Sequence, residues 1–202
     1  MSLSLLPILL VFSTMGVGWW IGDYNGVYSK IAARAADRTQ SEFDQQVKDD
    51  LAMLSEPQRR FTYHFQLGLA SSLAVVLINS LSVTYLIGTS RWVKEVCDAY
   101  ELEDRFVAES TKIKRMTFPW SIMGVFSILA IVALGAAADP GTLRATTAKW
   151  VTPHMLTAMI GSSIIIIAIV VQAMNLQRNA QLIEEVVDEV KQERVTRGLP
   201  VE

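Results

Sequence analysis

The sequence predicts an all-α integral membrane protein: a four-helix bundle of membrane spans with amphipathic helices outside the bilayer. Three observations lead there. Apolar residues make up 51% of the 202-residue chain and mean hydropathy is +0.31, although 19% of the residues are charged. The two populations are segregated, with charges gathered between four apolar blocks, whereas a soluble domain would interleave them at a period of 2 or 3.6. Each block is also long enough to cross a bilayer, since about 20 residues rising about 1.5 Å each cover roughly 30 Å of hydrocarbon. Lipid offers the backbone no hydrogen bonds, so blocks of this length are helical.

The first span, 1–22, runs from Leu3 to Gly22 without a charge. It lacks a basic leader and a small-residue cleavage site before Asp23, so it reads as a retained span. Residues 23–60 form an external loop in which Phe43, Val47, Leu51 and Leu54 share one helical face after Ser41. That pattern predicts a short amphipathic helix on the membrane or against the bundle. Ser55-Glu56-Pro57-Gln58 reads as a capping box before the second span, 61–88, whose strongly polar side chains are His64, Gln66 and Asn79. Residues 89–117 read as a helical hairpin turning near Glu101 to Asp104. Thr117 and Pro119 mark the start of the third span, 118–138, which is free of charge.

A loop, 139–150, leads to Thr152-Pro153 at the head of the fourth span, 151–174, which carries His154 and Gln172. In the tail, 175–202, Leu182, Ile183, Val186, Val187 and Val190 form a stripe above Glu184, Glu185, Asp188 and Glu189. This predicts a helix that prolongs the fourth span and packs against Trp92, Val93, Val96 and Tyr100 or a partner subunit.

Basic residues near the span ends set the orientation. Arg91, Lys94, Lys112, Lys114, Arg115 and Arg178 outweigh Arg59, Arg60, Arg144 and Lys149 on the other side. Both termini and the middle hairpin are therefore expected in the cytoplasm, with the bacterial inner (plasma) membrane as the location. Trp19, Trp20, Tyr24, Phe61, Tyr63 and Trp150 then form one aromatic belt, and Trp92, Phe118 and Trp120 the other.

Several functions are disfavoured by the same composition. The net charge of −2 gives no basic surface for nucleic acid. With Cys97 as the single cysteine, no intrachain disulfide, thiolate cluster or haem-attaching C-x-x-C-H is available. Phosphate-binding glycine loops, zincin motifs and nucleophile elbows are absent, so no catalytic site of its own is expected. No Asp, Glu, Lys or Arg lies in mid-span, which argues against ion pumping. Asn79, Thr84 and Gln172 are read as interhelical hydrogen-bonding groups, each worth about 1 kcal/mol.

The chain carries an internal echo. Sliding it by 90 residues sets His64 on His154, Ser72 on Ser162, Leu86 on Leu176 and Asp98 on Asp188. A second echo, at 108 residues, sets Ser13-x-Met15-Gly16-Val17 on Ser121-x-Met123-Gly124-Val125. A duplicated two-helix hairpin with both copies in the same orientation accounts for the two together.

His64 and His154 therefore sit at similar depth near the external face of two parallel spans. Gly68 and Ser71 follow His64 by four and seven residues; Ala158 and Gly161 follow His154 likewise. Small faces of this kind admit a flat macrocycle while two imidazoles reach its metal, as for one b-type haem. Arg60, Arg59 and Lys149 lie at the level of its propionates. A chlorophyll-type pigment is a variant of the same reading. The competing reading needs no ligand: both histidines rest in the headgroup zone, and Gly68-x-x-x-Ser72 and Ala158-x-x-x-Ser162 simply bring helices together.

Four spans with paired histidines are similar, in general layout only, to the cytochrome b anchors of membrane oxidoreductases. Those usually carry more histidines, for two haems, and no motif covers this chain. The functional expectation is a multi-pass subunit with a structural or anchoring role, contacting lipid and either other membrane subunits or copies of itself. Its sharper form binds one haem b between His64 and His154 for electron transfer. A small-molecule carrier or channel is the third class.

Overall fold

The computed structural model describes residues 2–36, 43–142 and 146–200. Ser41 and Arg144, used in the expectations above, lie outside the described residues, as do the side chains of Phe43 and Val47. Among the described residues every regular element is helical: α1 Ser2–Trp20, α2 Tyr24–Ala36, α3 Phe43–Tyr100, α4 Arg105–Ala138 and α5 Val151–Thr196. Two 3-10 turns, Pro140–Thr142 and Thr147–Trp150, join α4 to α5. Three helices, α3, α4 and α5, contain stretches long and apolar enough to cross a membrane, and α1 joins them when taken with α2 across a 44° bend. Gly22 makes that bend in the left-handed region, at φ 72°. Asp23 then caps α2, its Oδ1 accepting the Gly26 N–H at 2.9 Å.

Two of the expected helix starts are corrected. Pro57 and Pro119 do not open helices: each lies inside one, because α3 runs unbroken from Phe43 and α4 from Arg105. A proline in a helix leaves the carbonyl four residues earlier without its donor. Those carbonyls belong to Met53 and Arg115, both exposed, so the loss is met at the surface and the helix continues. Pro153 does fall in the first turn of α5, where the missing N–H has no partner to lose.

The turn between α3 and α4 has a definite cause. Glu101 adopts φ 59°, and the Leu102 N–H then returns to the Cys97 carbonyl at 3.0 Å. Leu102 packs beside Cys97 in the same apolar cluster, the contact that accompanies this helix ending.

Contacts along the chain fix the helix directions. Thr14 meets Ser71 and Trp20 meets Arg60, so α1 and α3 are antiparallel. Asn79 abuts Gly124 and Ser90 meets Ser110, so α3 and α4 are antiparallel too. Asn175 reaching Thr117 does the same for α4 and α5. The first and third of these pairs are joined through a parallel contact between α3 and α5. There, residues 90 apart, Thr89 and Asn179, hydrogen bond directly. The sequence echo at 90 residues is thus a spatial neighbour relation.

The polarity of the packing is inverted relative to a water-soluble core. Large apolar side chains such as Leu9, Leu73, Phe126, Leu129 and Ile160 point outward, each more than half exposed. Asn79, Gln172, Asn175 and Asn179 are buried inside. Apolar layers separate the polar ones: Val11, Val75, Ile128, Ile165 and Ile169 form one, and Leu86, Val93, Phe106, Ile113, Leu182 and Val186 another. Thr84, expected between helices, is exposed instead, because its position on α3 faces away from every neighbour.

Phe106→Ala is expected to lower stability by about 3–5 kcal/mol, since it empties a filled site. Phe126→Ala, on the outer face, should change it little; denaturant titration of both variants checks the contrast. Burial, followed by the nearby Asp98 and Asp104 carboxylates, pushes the Cys97 thiol above its ordinary value. Only the thiolate is nucleophilic. Alkylation of the folded protein at neutral pH should therefore be slow and should accelerate on unfolding, as followed by mass.

Candidate functional site

The histidines come together. His64 on α3 and His154 on α5 face one another with ring centroids 6.2 Å apart and planes crossed at 79°. Each ring is seated against a glycine of the adjoining helix. A Cβ on Gly18 of α1 would stand 2.8 Å from His64 Cε1, and one on Gly135 of α4 would stand 3.1 Å from His154 Cε1. The His64 Nδ1 lies 3.0 Å from the Thr14 carbonyl. The Ile131 carbonyl is the corresponding neighbour of His154, whose Nδ1 is buried without a hydrogen-bond partner among the described residues. An Nδ1–H directed at a carbonyl leaves Nε2 with its lone pair free.

These contacts define a register. Thr14 and Gly18 serve His64 as Ile131 and Gly135 serve His154, an offset of 117 residues between α1 and α4. The same shift places Val11 on Ile128, both in the apolar layer just beyond. The sequence echo at 108 residues is therefore not the register in which the two helices are equivalent. Gly18 and Gly135 carried a signal, a glycine four residues after the carbonyl that meets each imidazole, but only the helix contacts make it readable.

The other expected site residues have definite places. Gly68 faces Thr14 of α1 at 3.8 Å, and Gly161 faces Ile131 and Ser127 of α4, with Ile131 Cδ1 2.9 Å from where a Cβ would stand. Ala158 is half-buried on the same stretch of α5. The small faces after each histidine thus receive neighbouring helices. Arg60, one turn from His64, lies 4.5 Å over the Trp20 ring and donates to the Trp20 carbonyl at 3.3 Å. Its Nε is buried without a hydrogen-bond partner among the described residues, while Glu56 stands 3.6 Å from the guanidinium end. Arg59 is exposed and pairs with Glu56 at 2.8 Å, and Lys149 is exposed beside Trp150.

Above the histidines the end of the packing is closed. Tyr24 stacks on Phe61 at 5.0 Å. Asn25 donates to the Ala138 carbonyl at 3.2 Å and accepts from Thr147 at 3.1 Å, tying α2 to the α4–α5 connection.

Below them runs a polar seam. Thr14 and Ser71 hydroxyls bond at 2.8 Å. Past the apolar layer, Gln172 Nε2 donates to Asn79 Oδ1 at 2.8 Å, Asn175 to Thr117 at 2.9 Å and Asn179 to Thr89 at 3.1 Å. In the sequence Asn175 and Asn179 carry no signal and Thr117 reads only as a helix start, because they flank the apolar blocks and their partners are far away in the chain. Among the described residues no group of three or more His, Cys, Asp or Glu is placed to hold a bare metal ion.

No family model matches this chain, and no curated protein or solved structure is significantly similar to it.

Gln172→Leu is expected to cost about 1–3 kcal/mol, because it leaves Asn79 Oδ1 buried without its donor. Adding Asn79→Leu should recover much of that loss. Additive losses in the double variant would show that the two amides are not coupled.

Proposed function

We propose that the chain is a multi-pass four-helix bundle of the bacterial inner membrane, with both termini cytoplasmic. In this reading it anchors partner subunits and binds one b-type haem between His64 and His154. The inverted polarity supports the membrane setting. Outward leucines and phenylalanines suit hydrocarbon, and inward amides find partners that lipid cannot supply. Basic residues at the hairpin end support the sidedness.

One observation carries the haem reading, the facing imidazoles. His64 and His154 would hold the haem iron through their imidazoles, whose ring centroids lie 6.2 Å apart. The Thr14 carbonyl orients the His64 ring through Nδ1. The Arg60 Nε, without a hydrogen-bond partner among the described residues, would offer a cationic donor for a propionate. A haem held by His64 and His154 would supply one-electron redox chemistry, with an external donor on one side and a partner subunit or quinone on the other.

The test is a dithionite-reduced minus air-oxidised spectrum of the protein purified in mild detergent. A b-type α band is expected, and it should disappear in His64→Ala and in His154→Ala while both variants still enter the membrane. A spectrum without that band, in protein whose haem has not been stripped, overturns the haem reading. The bundle would then be an anchoring subunit alone.

A further inference from the structure

The end of the packing remote from the histidines has a position that the approximate two-fold relation leaves open. There Leu86, Val93 and Cys97 of α3 and Leu182 and Val186 of α5 close around Phe106 and Ile113 of α4. The shift of 90 residues carries Leu182 onto Trp92, Val186 onto Val96 and Cys97 onto Val187. Those three image residues line an actual groove of about 210 Å³, completed by Tyr100, Val190, Lys191 and Arg194 and touched by no residue of α4. The groove is thus the counterpart of the site that α4 fills.

We propose that this groove receives an amphipathic helix from a partner protein. Its apolar stripe lies between Trp92, Val96 and Val187, and its carboxylates meet Arg194 and Lys191. The walls are apolar, and Trp92 is 38% exposed. A stripe at helical spacing fills such walls as Phe106 and Ile113 fill the equivalent ones. Charge selects the flanks. Lys191 pairs with Asp188 of its own helix at 2.8 Å, but the Arg194 guanidinium donates only to the Pro200 carbonyl among the described residues, at 2.9 and 2.6 Å. Among the described residues it is a cation without a carboxylate, at the edge of an apolar groove.

The choice of a different protein over a second copy rests on the membrane reading above. Two copies in one bilayer share direction and depth, so Arg194 and Lys191 of one would meet the same cations of the other. Like charges set opposite one another disfavour that pairing.

The experiment uses the full chain in lipid nanodiscs and two labelled synthetic helical peptides. Both carry leucines at i, i+3, i+4 and i+7; one has glutamate flanks and the other lysine. Fluorescence anisotropy should show saturable binding of the glutamate peptide and binding about ten-fold weaker for the lysine peptide, the ratio expected from one favourable charge pair. Val187→Asp and Trp92→Asp, on opposite walls, should each abolish binding with helix content unchanged by circular dichroism. Arg194→Glu should invert the peptide preference. Equal binding of the two peptides, or binding that survives both wall variants, overturns the proposal. So does a dimer in nanodiscs that Val187→Asp dissociates. Failure of the membrane reading would appear separately, as a chain monodisperse without detergent; the same peptide comparison, run in plain buffer, then decides the groove.

Discussion

Hydrogen bonds between neutral side chains in the interior fix the register on which everything else depends. Asn79 with Gln172, Asn175 with Thr117, Asn179 with Thr89 and Ser90 with Ser110 tie α3, α4 and α5 together level by level. Apolar contacts are not directional and distinguish one register from the next only weakly. A helix sliding by one turn would keep most of its apolar contacts and lose each of these bonds, so the polar pairs select among otherwise similar packings. Alternation of polar levels with layers such as Val75 and Ile165 then leaves few registers acceptable to all the helices together.

That register has consequences at both ends. At one end it brings two imidazoles face to face and seats each on a glycine of the next helix. At the other it sets Val93 and Cys97 of α3 beside Leu182 and Val186 of α5 around Phe106. The first arrangement follows a near-symmetry in which α1 stands to α3 as α4 stands to α5. The symmetry is obeyed by backbone placement more than by residue identity. Thr14 bonds to Ser71 where Ile131 packs on Gly161, so an equivalent contact is polar in one half and apolar in the other. Where the symmetry lapses, beside Trp92 and Val187, surface is left uncovered.

The differences between expectation and structure have local physical causes. Pro57 and Pro119 resemble helix starts in sequence, yet a proline that frees an exposed carbonyl interrupts nothing. Thr84 lies in the same apolar block as Asn79 and was read alike, but five residues turn it to another face of the helix. The echo at 108 residues matched residue names, whereas equivalence of α1 and α4 is set by which carbonyl meets an imidazole, at 117.

The helical class, the long apolar stretches and the segregation of charge were legible in the chain alone, because each depends on averages over about 20 neighbouring residues, whereas α2 and the unbroken runs of α3 and α4 through Pro57 and Pro119 were not. The shared level of His64 and His154 was also legible, since position along a helix is proportional to residue number. Partner identity was not. Whether Asn175 meets Thr117, whether Gly18 or Gly68 bears on an imidazole, and which face of α3 stays open depend on the rotation of each helix about its axis. That rotation is settled by contacts between residues as many as 122 positions apart, as between Thr147 and Asn25, and no window along the sequence contains both members of such a pair.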